Sequence, residues 1–184
     1  VVLRAKNSLG EAERDLRIEV GEDILLTPPM GWNSWNCWGK SVSQEKVLSS
    51  AKAMVDKGLA NYGYTYINID DGWQGIRGGK HNAIQPNRKF QDIKGLVDEL
   101  HGMGLKAGIY SAPWVATYQG HVGTQCDNPD GKYEWIEKGL CDENYKLEDP
   151  DGTLHSGYFR YHGAYSFAEQ DERQWADWGF AYLT

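Results

Sequence analysis

From Pro29 onward, short β-branched and aromatic runs alternate with longer amphipathic stretches, and that alternation restricts the chain to folds built on a parallel sheet. Pro29-Met30-Gly31-Trp32-Asn33, Tyr64-Thr65-Tyr66-Ile67-Asn68-Ile69 and Leu105-Lys106-Ala107-Gly108-Ile109-Tyr110 read as strands, and Gly179-Phe180-Ala181-Tyr182-Leu183 opens a fourth. Between the first two, Val47, Ala51, Met54, Val55 and Leu59 recur at helical spacing behind a capping box at Ser41-Val42-Ser43-Gln44. Ile93, Leu96, Val97 and Leu100 form the apolar face of a second helix, closed by Gly102 and Gly104. A third carries Trp175 and Trp178 behind a capping box at Ser166 and Glu169. Parallel neighbours need a crossover, so each helix returns the chain to the same end of the sheet. The pattern predicts an α/β fold, either doubly wound or a barrel.

The first twenty residues follow a different rule. Val1–Lys6 and the period-two run Leu16–Val20 flank turn chemistry at Asn7-Ser8-Leu9-Gly10, which predicts a β-hairpin. Two strands alone are marginal, so the hairpin reads as the end of a β-sandwich whose other strands are missing. Gly21-Glu22-Asp23 serves as a linker, giving a boundary between residues 1–22 and 23–184. The chain begins at Val1 without signal-peptide chemistry and stops in the apolar run Phe180–Thr184, so it reads as an internal piece of a longer protein. Residues 111–165 show no periodicity, and a loop of that length is usually functional.

Composition removes several classes of partner. A net charge of −7 with no basic run makes a nucleic-acid phosphate backbone an unsuitable partner. No stretch reaches the roughly 18 consecutive apolar residues of a membrane span. Eight Trp and eleven Tyr stand beside only four Phe, and their flat apolar rings with a polar handle suit half-wet recognition surfaces.

Asp70-Asp71-Gly72-Trp73 is the sharpest local signal, two carboxylates where a strand ends and α/β folds place ligands. The same letters also spell an ordinary turn. A retaining glycosidase pair needs about 5–5.5 Å between carboxyls on opposite sides of the scissile bond, normally from separate strands. Sequence neighbours suit hydrogen bonds from adjacent sugar hydroxyls better. Trp32-Asn33-Ser34-Trp35-Asn36 and Tyr110 follow the first and third strands in the same way, as core caps or as part of a site. An aromatic face against sugar C–H groups, with carboxylates on the hydroxyls, is what a carbohydrate site requires. Cys37, Cys126 and Cys141 lack zinc spacing, and the five His residues are scattered, with His101 a surface or packing residue of the second helix. Phosphate-binding and nucleophile-elbow motifs are absent.

Leu26-Thr27-Pro28-Pro29-Met30-Gly31-Trp32-Asn33-Ser34-Trp35-Asn36 resembles the opening of the glycoside hydrolase family 27 α-galactosidases. Tyr64–Trp73, Gly104–Ser111 and Ala176–Leu183 resemble their second, third and fourth strands in order, so the likeness covers residues 26–110 and 163–184. Residues 111–162 are similar to the longer loop of bacterial members that follow an immunoglobulin-like domain. The resemblance implies the first half of a (β/α)8 TIM barrel preceded by the C-terminal hairpin of an immunoglobulin-like β-sandwich. It also implies a secreted or periplasmic retaining hydrolase for terminal α-linked galactose, acting on galactosides without metal or organic cofactor. Members of the group also handle α-N-acetylgalactosamine and β-L-arabinopyranose.

By the same resemblance Trp35 walls the pocket, Asp70 and Asp71 accept from the 4- and 6-hydroxyls, and Tyr110 lies beside the nucleophile. The catalytic nucleophile, an Asp, is expected just after Thr184 and the acid/base further on, so no catalytic carboxylate is named within the chain, which is expected to be inactive by itself. Gly72 stands where many eukaryotic members have a Cys, and Cys126 lies further from Tyr110 than the family's substrate-side Cys. Two further readings stay open: a carbohydrate-binding protein without turnover, and a β/α enzyme using Asp70 and Asp71 as metal ligands.

Overall fold

The computed structural model describes residues 2–15, 28–133 and 161–184. Its first two strands, β1 (Val2–Asn7) and β2 (Gly10–Asp15), pair antiparallel. The turn is held by Asn7 Oδ1, which accepts the N–H of Leu9 at 2.8 Å and of Gly10 at 3.1 Å. The return strand therefore starts at Gly10, well before the predicted Leu16–Val20, which lies outside the described residues. Apolar periodicity cannot find β2, because its cross-strand partners are charges: Arg4 opposite Glu13 and Lys6 opposite Glu11. Every described hairpin residue is exposed.

Beyond Pro29 the predicted parallel sheet is present. It contains β3 (Gly31–Asn33) and β4 (Tyr66–Ile69), followed after a β5–β6 hairpin (Gln74–Gly78 and Ala83–Pro86) by β7 (Lys106–Ile109). A short antiparallel ladder, β8 (Gln125–Cys126) with β9 (Tyr165–Ser166), precedes the last sheet strand, β10 (Tyr182–Leu183). The sheet order β3-β4-β7-β10 follows the chain without a reversal. A doubly wound sheet reverses direction at its switch point, so this succession is that of a barrel wall.

Alternation along the strands splits the sheet into two faces. Ile67, Ile69, Ala107 and Ile109 are buried beneath the helices. Tyr66, Asn68 and Gly108 point the other way, where Tyr66 meets Tyr182 edge-on. Gly31 permits this spacing, since a Cβ there would stand 1.9 Å from the carbonyl oxygen of Tyr66.

Among the described residues, four helices accompany the sheet: the short α1 (Trp35–Trp38), α2 (Gln44–Asp56), α3 (Ile93–Gly102) and α4 (Ala168–Trp178). Both predicted capping boxes are corrected. Ser43, not Ser41, caps α2, because Gly39–Ser41 closes a 3-10 turn and the Ser41 hydroxyl donates to Trp38 O instead. Ser166 pairs with Gln125 in the β8–β9 ladder, so α4 starts one residue later, with Phe167 as its uncapped N-terminal residue. Val47, Ala51 and Met54 are buried as expected, whereas Val55 and Leu59 are exposed and Leu59 belongs to a 3-10 turn past the helix end.

A buried ion pair joins the additions to the sheet. Arg77 on β5 meets Asp171 on α4 in a bidentate contact of 2.5 and 3.0 Å, with both side chains almost wholly out of solvent. Asp171 also accepts the N–H of Ile84 at 2.8 Å, and Arg77 donates to Gly123 O at 3.0 Å. The Phe167 ring lies 4.5 Å from the guanidinium carbon. Burial pushes the Asp171 carboxyl above the ordinary carboxylate range, and Arg77 opposes that shift. Removing one member strands the other, so Asp171→Asn or Arg77→Met is expected to cost about 3–5 kcal/mol in urea denaturation. The double variant Arg77→Met with Asp171→Leu should lose clearly less than the two single losses added together.

Candidate functional site

At the C-terminal end of the sheet, one amide sets two of the predicted site residues. Asn33 Oδ1 accepts the N–H of Trp35 at 2.8 Å, while its Nδ2 donates to Asp70 Oδ2 at 2.8 Å. The next residue, Ser34, is fully buried, and its Oγ accepts the N–H of Asp70 at 2.9 Å. Trp35 and Asp70 both remain half-buried. The first two strand ends are thus locked by side chains beyond the last ladder bond.

The chain then turns sharply at Gly72, whose φ of +113° strains any residue with a side chain. The two neighbouring carboxylates before this turn sit in different surroundings. Asp70 Oδ1 accepts the N–H of Asp71, at 2.7 Å, and Asp70 stays partly open. Asp71 is 2% exposed. Its Oδ1 accepts from Thr117 Oγ1 at 2.9 Å and faces His121 Nδ1 at 2.8 Å, and its Oδ2 accepts the N–H of Gln119 at 3.1 Å. The Thr117 hydroxyl and the Gln119 N–H are proton donors, and no group of three metal-ligating side chains occurs among the described residues. The metal-ligand reading of Asp70 and Asp71 finds no support in this donor set.

Trp73 and Gln74 fix the third strand end. The indole N–H of the buried Trp73 donates to Tyr110 O at 2.8 Å, and Gln74 Nε2 lies 3.4 Å from the same oxygen. Burial pushes the Tyr110 phenol above its ordinary value, and the charges of Asp71 and then Asp70 push it further. Tyr110 therefore stays a proton donor across the neutral range.

These four predicted residues share one cavity. Trp35, Asp70, Asp71 and Tyr110, with Tyr118 and Gln119, line a volume of about 190 Å³. That is below the roughly 300–1,000 Å³ of drug-sized sites and on the scale of one small polar ring. Tyr118, Gln119, Thr117 and His121 were not singled out as site residues from the sequence. They sit in a tight loop at the start of the long aperiodic segment, where the spacing matches no motif. Cys126 is buried, donates to Lys132 O at 3.0 Å and is not among the cavity residues, and Cys37 is exposed and accepts from the Trp32 indole at 3.3 Å. Both are free thiols, and Cys141 lies outside the described residues.

Because the folded phenol of Tyr110 is raised above its unfolded value near 10, its contribution to stability is intact below that pH and is lost as the pH climbs above it. In absorbance titration, Tyr110→Phe is expected to leave the ionisation curve unchanged up to about pH 11. A tyrosine step lost from that range would contradict the burial described.

Comparison with known proteins gives consistent results. The family model described as Alpha galactosidase A (Melibiase_2) matches residues 27–136. Alpha-galactosidase A of Cellvibrio japonicus is 43% identical over 106 residues, covering 56% of this chain and 26% of its own length. Alpha-galactosidase of Coffea arabica is 48% identical over 106 residues, again covering 56% of this chain and 28% of its own. Among solved structures, alpha-galactosidase I from Mortierella vinacea superposes with a TM-score of 0.61 at 31% identity, over 89% of this chain and 32% of that one. The chain spans about a quarter to a third of the length of the curated relatives it matches.

Proposed function

The chain belongs to the Alpha galactosidase A family, whose model it matches over more than half its length, and from that membership we propose that its cavity holds the terminal galactose of an α-galactoside. In this reading the whole protein is a retaining α-galactosidase. The observation that carries it is the meeting of the Trp35 indole, the Asp70 and Asp71 carboxylates and the protonated Tyr110 phenol around one small cavity. A sugar offers the complementary groups: C–H faces for the ring, and hydroxyls as donors to acceptor-only carboxylates.

Each residue then has a role. Trp35 packs against the apolar side of the sugar ring. Asp70, with more open oxygen, takes the greater share of the hydroxyl bonds, and Asp71 adds another, so that an axial 4-hydroxyl is selected over an equatorial one. Tyr110 donates toward the oxygens nearest the reacting carbon. The reaction is a double displacement: a carboxylate nucleophile forms a glycosyl-enzyme, and a second carboxyl protonates the leaving oxygen and then activates water. Asp70 and Asp71 are neighbours engaged by protein donors, so the nucleophile and acid/base are expected from residues following Thr184. The exposed β1–β2 hairpin fits the end of an immunoglobulin-like unit, and export from the cytoplasm fits an enzyme for such substrates.

In the full-length protein, Asp70→Asn and Trp35→Ala are each expected to raise the galactose dissociation constant about tenfold or more, read by calorimetry. The 184-residue chain alone should release no product from an aryl α-galactoside that the full-length protein hydrolyses. Glucose binding as tight as galactose, or turnover by the 184-residue chain, would sink this reading.

A further inference from the structure

His121 is a buried ring with only one of its nitrogens in use. Its side chain is 1% exposed, Nδ1 lies 2.8 Å from Asp71 Oδ1, and Nε2 is buried with no hydrogen-bond partner among the described residues. A ring present only to fill space would be phenylalanine, which leaves no polar atom unpaired. The carboxylate accepts only, so the shared proton sits on Nδ1. The ring is therefore held for what it does to Asp71.

The loop around it is built to the same end. Thr117 N–H donates to His121 O at 2.8 Å, and His121 N–H donates to Thr117 Oγ1 at 3.1 Å. Thr117 Oγ1 in turn donates a hydrogen bond to Asp71 Oδ1 at 2.9 Å. A carboxylate oxygen has about two good acceptor positions, so Thr117 and His121 saturate Oδ1. Gln119 N–H takes one position on Oδ2, at 3.1 Å. A single acceptor position remains on Asp71, on the oxygen beside Gln119, which lines the cavity.

We infer that His121 and Thr117 are positioning residues that turn Asp71 into an acceptor for one ligand hydroxyl and so set which hydroxyl the site demands. This rests on the reading of the cavity as a galactose site. Without the His121 donor, Oδ1 gains a free position, the carboxylate can rotate, and the demand for that one hydroxyl weakens.

Calorimetry on the full-length protein with galactose, 6-deoxygalactose and 4-deoxygalactose tests the inference. His121→Phe and Thr117→Val are each expected to weaken galactose about tenfold. His121→Asn offers an amide N–H in place of the Nδ1 donor and should stay within about threefold of the parent. One of the two deoxy sugars lacks the hydroxyl that Asp71 holds, and for that sugar both weakening variants should bind as the parent does. Equal weakening for all three sugars, or unchanged galactose binding in both variants, overturns the inference. If His121→Phe loses its folded circular dichroism, Thr117→Val carries the same comparison, and loss of folding in both assigns the pair to the fold and overturns it too. A parent protein that binds no galactose instead overturns the galactose reading and the inference with it.

Discussion

The bidentate pair between Arg77 and Asp171 is the contact on which the arrangement above the sheet depends. It joins a hairpin inserted after the second sheet strand to the helix before the fourth. Through Gly123 O it also holds the loop that comes after the third. Parallel strands fix only their own ends. The segments that leave those ends need a separate tie, and a charged pair taken out of water is demanding about geometry. With Phe167 beneath the guanidinium and Ile84 N–H on the carboxylate, the pair keeps the Thr117–His121 loop over Asp71.

Asp70 and Asp71 show how differently two neighbouring like residues can be held. Both line the cavity, but Asp70 stays partly open while Asp71 sits in a nest of donors from Thr117, Gln119 and His121. Buried, an isolated carboxylate would be costly, and three donors offset that cost. Repulsion between the two is eased because each is held by its own set of N–H or O–H groups. Tyr110, pressed by both charges, remains a donor opposite two acceptors.

The sequence was most readable where period and chemistry agree. The parallel strands lie within two or three residues of the sequence reading, the middle two because the isoleucines of Tyr66–Ile69 and Lys106–Ile109 are buried beneath the helices. Trp35, Asp70, Asp71 and Tyr110 follow strand ends in the sequence, and the structure brings the four around one cavity. The hairpin Gln74–Pro86 was not, since Gly75, Gly78 and Gly79 and a buried Arg imitate a loop. Its partner Asp171 sits 94 positions away, and no local pattern announces a pairing at that distance. The capping boxes differ for a related reason: the Ser41 hydroxyl is taken by a turn, and the Ser166 backbone by a ladder, before either can cap a helix. His121 looked like one of several scattered histidines because its partner is 50 residues upstream.

The way Gln119 reaches Asp71 has a consequence for how such a site can change over generations. The contact runs through a backbone N–H, which every residue except proline supplies. The side chain at position 119 is therefore free to vary while the anchor below it stays whole. Trp35 is tied to Asn33 in the same way, through its own N–H, whereas Asp70 has no such freedom, since it is the carboxylate itself that takes the Asn33 amide. Drift in substrate preference would therefore be recorded first at the loop tip, in residues that line the cavity but carry none of its framework.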